Sequence, residues 1–282
     1  MGGIYWLASY PKSGNTWLRT FIRNLTVDGD EPVDINEIQT GNIASARGWI
    51  DEVLGFDTAE LTHDEAERLR PYVYRWSLKE KEDDIGYHKI HDAYIYTSDG
   101  EPLVSREATL GALCIIRNPL DVAPSAANHW SCDLDRAIKN LGNPKMGFAK
   151  THKALPDQLR QKMMSWSEHV LSWVDAKDLN VKVIRYEDML SDPIETFTGA
   201  AKFLELPDDP ERIAKAVKFS DFRELKKQEK EKGFRERPSK AKSFFRKGKS
   251  GSWKEELSEK QVERVTKDHR EVMSRFDYLG GR

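Results

Sequence analysis

The chain has 282 residues, of which 38% are hydrophobic and 33% are charged, enough apolar sequence for the core of a large α/β domain. Its 45 basic and 47 acidic residues give a net charge of −2, so no global positive field attracts nucleic acid and any anion site must be local. The two cysteines, Cys114 and Cys132, lack metal-ligand spacing. The first apolar run is too short for a signal peptide and no run reaches membrane-span length, so we expect a cytoplasmic protein.

The first predicted strand and helix flank a loop with the composition of a phosphate site. The apolar run 4–8 predicts a buried strand, and the spacing of apolar residues over 18–25 predicts a helix. Between them, 10–17 reads Tyr-Pro-Lys-Ser-Gly-Asn-Thr-Trp. The N–H groups of such a loop and the positive end of the helix can hold an anion, to which Lys12 adds a full charge. An ordinary turn with a solvated lysine is the alternative.

The position of this lysine separates the loop from the Walker A type. Lys12 precedes Gly14, whereas the Walker lysine directly follows the last glycine of its motif. The physical device is the same, but its lysine would approach the anion from a different place. The residue order therefore does not favour a site for ATP with Mg²⁺.

Two irregular segments are predicted to form the walls of an acceptor pocket, because loops commonly carry specificity. The first, 27–80, is rich in aromatic residues and contains one short predicted helix, 62–70. Thr62 and Glu65 have the spacing of a capping box at the start of that helix. The second segment, 130–156, is loop-like. The aromatic part of the first segment could equally cover the sheet.

The remaining strands and helices alternate along the chain. Apolar runs predict strands over 109–116 and 181–186, and the apolar spacing over 158–174 predicts an amphipathic helix. Short helices are predicted after residue 194, and the Lys/Glu-rich run 223–242 is interpreted as a solvated, mobile segment. Strands that alternate with helices predict an α/β fold with a parallel sheet, whose ligand lies at the carboxyl ends of the strands.

A second anion motif directly follows the strand 109–116. It runs from Arg117 to Ser125 and reads Arg-Asn-Pro-Leu-Asp-Val-Ala-Pro-Ser. An arginine that leaves a buried strand and a serine about two helical turns later can meet the same phosphate, because the planar guanidinium donates in a bidentate manner. A helix-capping arginine with a surface serine is the alternative.

A third motif lies near the carboxyl end, where 244–254 reads Phe-Phe-Arg-Lys-Gly-Lys-Ser-Gly-Ser-Trp-Lys. Two consecutive cations, Arg246 and Lys247, precede Gly248, which permits close approach of the backbone to a ligand. The charged residues before them favour mobility, so we predict a lid over 223–254. A solvated charged face is the usual structure of such a run, but the ordered glycine and tryptophan spacing favours the lid.

In this order the three motifs resemble the nucleotide-binding segments of the cytosolic-type sulfotransferases, across essentially the whole chain. The family transfers a sulfuryl group from 3′-phosphoadenosine-5′-phosphosulfate (PAPS) to a hydroxyl or an amine and releases 3′,5′-adenosine bisphosphate (PAP). The resemblance implies a single domain over 1–282, with a three-layer P-loop-like fold in which helices flank a central parallel sheet. It implies no metal.

The resemblance also implies which residues hold PAPS. Residues at the 5′-phosphosulfate are Lys12, Ser13, Gly14, Asn15 and Thr16. Residues at the 3′-phosphate are Arg117, Ser125, Phe245, Arg246, Lys247 and Gly248. Residues at the adenine are Trp17, Tyr186, Ser220 and Phe222.

Histidine suits the role of general base for the acceptor because it titrates near neutrality. The sequence around His152, Lys-Thr-His, resembles the family's Lys-Thr-His-x-Pro signature, but it follows Arg117, whereas the family's base precedes that arginine. His91 keeps the family's order and becomes our predicted base, with Lys89 as a companion cation. His152 and His88 are the reserves.

The predicted function is therefore sulfuryl transfer to a small hydroxylated acceptor, less favourably to an amine. A kinase would need a Walker lysine and carboxylates for Mg²⁺, which the sequence does not show. A nucleotide-binding protein that has lost catalysis is the non-enzyme alternative. We expect no nucleic-acid partner and no membrane span, and we leave a homodimer open.

Overall fold

The computed structural model describes residues 2–78, 84–150 and 156–280. In this part of the chain the strands are β1 (Gly3–Ser9), β2 (Ile85–Ile90), β3 (Thr109–Ile116), β4 (Gly147–Phe148), β5 (Gln161–Lys162) and β6 (Val181–Arg185). The helices are α1 (Asn15–Val27), α2 (Arg47–Leu54), α3 (His63–Trp76), α4 (Pro119–Trp130), α5 (Leu134–Leu141), α6 (Trp166–Val174), α7 (Tyr186–Ser191), α8 (Pro193–Phe203), α9 (Pro210–Phe219), α10 (Phe222–Lys232) and α11 (Glu259–Arg275).

Four strands form the main sheet in the order β2-β1-β3-β6. The strands β1 and β2 run parallel, with paired residues from Gly3 beside Ile85 to Ala8 beside Ile90. Every residue of β1 is buried, as expected for an inner strand covered on both faces, and this burial explains its continuous apolar sequence. The predicted α/β class with a central parallel sheet is confirmed.

The chain forms two compact units. The first comprises Met1–Tyr10, Gly41–Cys114 and Pro144–Val183, and so contains most of the main sheet. It also contains the small antiparallel sheet of β4 and β5. Its largest fully buried side chains are tryptophans and other large residues, among them Trp6, Trp166 and Trp173.

The second unit comprises Pro11–Thr40, Ile115–Asn143 and Ile184–Arg282. It contains most of the helices, and it has an aromatic core in which the rings of Phe21 and Phe197 stack with centroids 4.3 Å apart. All predicted phosphate-binding residues belong to this unit, whereas His91 and Lys89 belong to the first.

Several predicted elements differ in extent from those in the structure. The helix predicted over 62–70 has the expected Thr62 and Glu65 capping box, but it continues to Trp76 with Pro71 inside it. Elsewhere in the segments interpreted as loops, α2 and α5 form short helices. The Lys/Glu-rich run, interpreted as a solvated, mobile segment, forms the helix α10 up to Lys232 and buries Leu225 and Gln228, so it is not fully solvated. Its mobility stays a prediction.

The helix predicted over 158–174 begins only at Trp166. Ser165 is the N-cap, and its hydroxyl accepts from the Glu168 N–H at 3.3 Å, while the Glu168 carboxylate accepts from the Ser165 N–H at 3.0 Å. This capping box satisfies donors that the first helical turn leaves unpaired, so it fixes the start of the helix. Before it, Gln161 and Lys162 pair as β5 instead.

Across the described ranges, no helix has both the length and the apolar composition that crossing a bilayer requires.

Substitution Ser165→Ala removes the capping oxygen, so we expect the free energy of unfolding to fall by about 1 kcal/mol. Urea unfolding followed by circular dichroism measures this loss. Ser274→Ala, at an exposed position of α11, is the matched control and should change stability little, because alanine is the better helix former. Equal stability of the two variants would contradict the proposed cap.

Candidate active site

The loop that leads into α1 contains two residues in the left-handed region of the backbone. Lys12 has a φ of 72° and Gly14 a φ of 112°. A Cβ atom at Gly14 would lie 2.8 Å from the Tyr186 ring, so any other residue would clash as well as strain the backbone. The absence of a side chain lets the loop backbone lie directly against Tyr186.

The amino end of α1 presents donors suited to an anion. Gly14 is the N-cap and its position offers no side-chain cap, so no capping side chain competes with an anion at this helix end. The Ser13 hydroxyl is buried, at 1% exposure, and has no hydrogen-bond partner among the described residues. A buried polar group without a partner is costly, and an oxygen of a bound phosphate or sulfate would satisfy it. The residues present therefore fit an anionic group, with buried Asn15 and Thr16 in the same turn.

Arg117 directly follows β3 and is 8% exposed. Its guanidinium donates to the carbonyl oxygens of Lys12 at 3.0 Å and Lys249 at 3.4 Å. It also lies over the Tyr186 ring, 4.1 Å from the ring centre. The buried Nε has no partner in the described part of the chain. Arg117 thus joins the phosphate loop to the C-terminal segment and retains a donor for a ligand.

A buried carboxylate fixes the C-terminal segment beside Arg117. Asp121 lies in the first turn of α4 and is 1% exposed. Its Oδ2 accepts from the Gly251 N–H at 2.8 Å and the Ser250 hydroxyl at 3.5 Å. Its Oδ1 accepts from the Ser252 hydroxyl and the Trp253 N–H, both at 3.1 Å. One carboxylate therefore holds four consecutive residues of the third motif.

Arg246 and Lys247 form ion pairs within their own segment. Arg246 donates to both oxygens of Glu256, at 2.5 and 3.1 Å, and Lys247 approaches Glu256 at 3.0 Å and Glu255 at 3.2 Å. Burial alone would raise the pKa of the Glu256 carboxyl, but the hydrogen bonds from Arg246 and Lys247 outweigh it and lower that pKa. A phosphate bound by these cations has to compete with the carboxylates.

Gly248 and Phe222 meet at close range. Gly248 has a φ of 61°, and a Cβ atom there would lie 2.2 Å from the Phe222 ring, so only glycine fits. Phe245 is 6% exposed and belongs to an apolar cluster with Ile35 and Leu225, so its side chain serves the core of the second unit. The structure thus places both the backbone of Gly248 and the ring of Phe245 beside Phe222, the two rings meeting edge-on with centroids 6.3 Å apart.

The third motif is also held by a glutamate of α10. The Glu229 carboxylate accepts from the N–H groups of Phe244 at 2.6 Å and Phe245 at 3.0 Å. The Phe244 ring in turn lies below the Lys12 ammonium, with Nζ 3.7 Å from the ring centre. Glu229 therefore positions an aromatic surface for the lysine of the first motif.

The predicted adenine residues fall into two contacting groups. Trp17 packs edge-on against Tyr186, with centroids 5.8 Å apart, and it borders the same apolar cluster as Phe222. Ser220 is fully buried, and its hydroxyl donates to the Ala216 carbonyl at 2.8 Å, which leaves only acceptor capacity for a ligand. Ser125, predicted at the 3′-phosphate, lies half-buried on α4.

In the first unit, His91 directly follows β2. Its Nδ1 lies 2.7 Å from the carbonyl oxygen of Ser9. A carbonyl oxygen can only accept, so Nδ1 carries the proton and Nε2 is the basic nitrogen. Lys89 lies two residues earlier in β2, and its carbonyl accepts from the Ala44 N–H at 2.8 Å.

The two reserve histidines differ from His91. The His88 ring stacks on Trp49, with centroids 4.7 Å apart, and its Nδ1 lies 3.2 Å from the Asn42 carbonyl oxygen. These contacts give His88 a packing role. His152 lies outside the described residues.

Three acidic side chains of this site were not among the predicted site residues. Asp121 lies inside the second motif, and that position is the signal that could have marked it. Glu187 follows Tyr186, and its carboxylate accepts from the Asn118 N–H at 3.0 Å and the Tyr278 hydroxyl at 2.9 Å, while burial raises its pKa. No sequence signal separates Glu229 from its charged neighbours.

Comparison with known proteins gives this arrangement its family. The family model of the sulfotransferase domain matches residues 4–277. The chain belongs to the sulfotransferase family. The family, and with it the predicted PAPS-dependent sulfuryl transfer, is confirmed.

Two curated relatives and one solved structure illustrate the range of this similarity. Sulfotransferase 2A2 of Rattus norvegicus is 28% identical over 96% of the chain and 84% of its own length. The 3-alpha-hydroxysteroid sulfotransferase of Cavia porcellus is 31% identical over 95% of the chain and 83% of its own length. The crystal structure of mouse sulfotransferase SULT7A1 complexed with PAP has a TM-score of 0.60 and 20% identity, covering 96% of this chain and 85% of that one. This likeness confirms the predicted fold.

Replacing Arg117 by lysine keeps the charge but removes the planar fork and its packing on Tyr186. We expect the Kd for PAP, measured by calorimetry, to rise about tenfold, which corresponds to about 1.4 kcal/mol. Arg136→Lys, at an exposed position of α5, is the control and should leave the Kd unchanged. Unaltered binding in Arg117→Lys would remove Arg117 from the site.

Neutralising Glu256 should strengthen the binding of PAP. In Glu256→Gln no charged carboxylate at this position competes with the phosphate of PAP for the guanidinium of Arg246. We therefore expect the Kd for PAP to fall about three- to fivefold, the effect of one partly exposed ion pair. Glu263→Gln, at an exposed position of α11, is the control. A higher Kd in Glu256→Gln would instead show that this carboxylate holds Arg246 in its binding position.

Proposed function

We propose that this sulfotransferase moves the sulfuryl group of PAPS to the hydroxyl of a small acceptor, with His91 as the general base. The observation that carries the proposal is the 2.7 Å hydrogen bond from His91 Nδ1 to the Ser9 carbonyl. It leaves Nε2 as the proton acceptor on a ring whose orientation is fixed. A base held in this way can take the proton from the acceptor oxygen as that oxygen becomes a nucleophile.

The charged residues of the second unit are proposed to bind PAPS. Lys12 and the backbone N–H groups of the loop would hold the 5′-phosphosulfate, and Arg117 with Arg246 and Lys247 would hold the 3′-phosphate. PAPS supplies the activated sulfuryl group when it is bound. The unpartnered Ser13 hydroxyl and Arg117 Nε support this proposal, because both are buried donors suited to anionic oxygens.

Positioning and charge stabilisation are the main demands of such a transfer, as they are for phosphoryl transfer. Lys12 would neutralise charge that develops on the oxygens around the transferring group, and we propose that Lys89 assists it. Trp17, Tyr186 and Phe222 would stack against the adenine and so set the position of the reactive end.

We propose that the acceptor is a hydroxylated, largely apolar molecule. Among the relatives, the 31% identical protein is named for a 3-alpha-hydroxysteroid. In the first unit, the Trp49 ring stacks on Tyr74, with centroids 5.5 Å apart, and on His88. Tyr74 is buried but Trp49 is only partly so, and an aromatic side chain of this kind favours apolar ligands. The segments 27–80 and 130–156 remain the proposed walls of the acceptor pocket.

Turnover of radiolabelled PAPS with a panel of hydroxysteroids, phenols, alkanols and amines tests the reaction, and the best acceptor then tests the base. We expect His91→Asn to lower kcat at least a hundredfold and to leave the Kd for PAP within twofold of the wild type, because general-base catalysis contributes about 10²- to 10⁴-fold. Turnover of the wild-type chain with none of these acceptors would favour a protein that only binds the nucleotide.

The same substitution at His88 and at His152 provides the comparison. We expect His88→Asn to retain kcat within about threefold, because its ring serves the packing of Trp49. Retention of kcat in His91→Asn together with its loss in His152→Asn would transfer the role of base to His152.

A further inference from the structure

The residue that follows His91 is Asp92, a buried carboxylate that is paired with the buried guanidinium of Arg70. Asp92 and Arg70 are each 1% exposed. The Arg70 guanidinium donates to Asp92 through two nitrogens, at 2.8 Å to Oδ2 and 3.3 Å to Oδ1. This bidentate pair connects α3 to the turn at the end of β2.

Further hydrogen bonds extend the pair in several directions. Asp92 Oδ1 also accepts from the Lys162 N–H at 2.9 Å, and the Asp92 carbonyl accepts from the Trp173 indole at 3.1 Å. Arg70 Nε donates to the Tyr74 hydroxyl at 2.8 Å, which itself donates to the Ala44 carbonyl at 2.7 Å. The backbone at Asp92 is therefore fixed from α3, β5 and α6 together.

Stability alone does not explain such a pair. Removing two charges from water is expensive, and buried ion pairs are commonly no more stabilising than apolar side chains of similar volume. What the pair provides is a defined geometry, because the planar guanidinium fits the carboxylate in one orientation.

The geometry of this ion pair can affect His91 because one peptide bond joins His91 to Asp92. His91 has Asp92 on its carboxyl side, and on its amino side Ile90, which pairs with Ala8 in β1. The 2.7 Å contact between His91 Nδ1 and the Ser9 carbonyl requires both flanks to stay in register. Beyond Asp92, the Ala93 N–H donates to the Lys162 carbonyl at 2.8 Å, which extends the same restraint.

We propose that Arg70 and Asp92 are positioning residues for the general base. Their ion pair holds the backbone at His91 so that Nδ1 keeps its hydrogen bond to the Ser9 carbonyl. This inference rests on the proposed role of His91. Neither residue touches the reacting atoms, and both act through the orientation of the imidazole.

The double variant Arg70→Met/Asp92→Asn tests the proposal without leaving an uncompensated charge. The methionine preserves most of the volume of the arginine side chain, and the amide oxygen of the asparagine still accepts from the Lys162 N–H. We expect kcat with the best acceptor of the panel to fall ten- to a hundredfold, since small misplacements of a catalytic group have effects of this size. The Kd for PAP should stay within twofold of the wild type.

Nitrogen-15 NMR of the imidazole supplies a readout independent of turnover. In the wild type the His91 signals should report a proton on Nδ1, and in the double variant this form should lose its predominance. Arg68→Met is the control, because Arg68 lies on α3 two residues before Arg70 but is exposed and pairs with Asp99 instead. It should leave kcat and the His91 signals unchanged.

Wild-type kcat together with unchanged His91 signals in the double variant would overturn the proposal. If the double variant does not bind PAP, the single variant Arg70→Lys replaces it, because lysine keeps the buried charge and removes only the planar guanidinium. A fall in kcat with altered His91 signals in Arg70→Lys supports the proposal. Wild-type kcat and wild-type His91 signals in Arg70→Lys overturn it. Full turnover in His91→Asn would instead show that the base was assigned wrongly, which separates the two failures.

Discussion

The geometry of the proposed nucleotide site depends on one buried carboxylate. Asp121 accepts hydrogen bonds from four consecutive residues, 250–253, and so fixes the C-terminal segment against α4. Its position in the first helical turn places the negative charge at the favourable end of the helix dipole. The Lys249 carbonyl, which directly precedes this anchored stretch, is an acceptor for Arg117. Without Asp121, the stretch 250–253 would lose this anchor to α4, and the Lys249 carbonyl would be less firmly placed for Arg117.

The distribution of acids around the cations is the second principle of the site. Arg246 and Lys247 are neutralised locally by Glu255 and Glu256. The guanidinium of Arg117 instead donates to the backbone carbonyls of Lys12 and Lys249. A charge satisfied by dipoles remains electrostatically positive, and a charge paired with a carboxylate does not. The net charge of the chain, −2, therefore conceals a local positive charge at Arg117.

Sequence reasoning located three strands of the main sheet and the three motifs because local patterns determine them. The order of Lys12 and Gly14 in the loop, and the arginine at the end of a buried strand, are visible in a few adjacent residues. The function of Glu229 was missed because it depends on the N–H groups of Phe244 and Phe245, at least fifteen residues away in a different element. The pairing of Arg70 with Asp92 was missed for the same reason, since no short-range pattern selects one arginine of α3.

The residues proposed to bind the nucleotide come from the two ends of the chain and its middle. The loop at 11–16, Arg117 and the stretch 246–253 all belong to the second unit, which includes everything from Ile184 to Arg282. During synthesis on the ribosome, the phosphate loop emerges first, but its partners at Asp121 and beyond residue 245 emerge much later. Nucleotide can therefore stabilise only a nearly finished chain, so the early steps of folding proceed without help from the ligand.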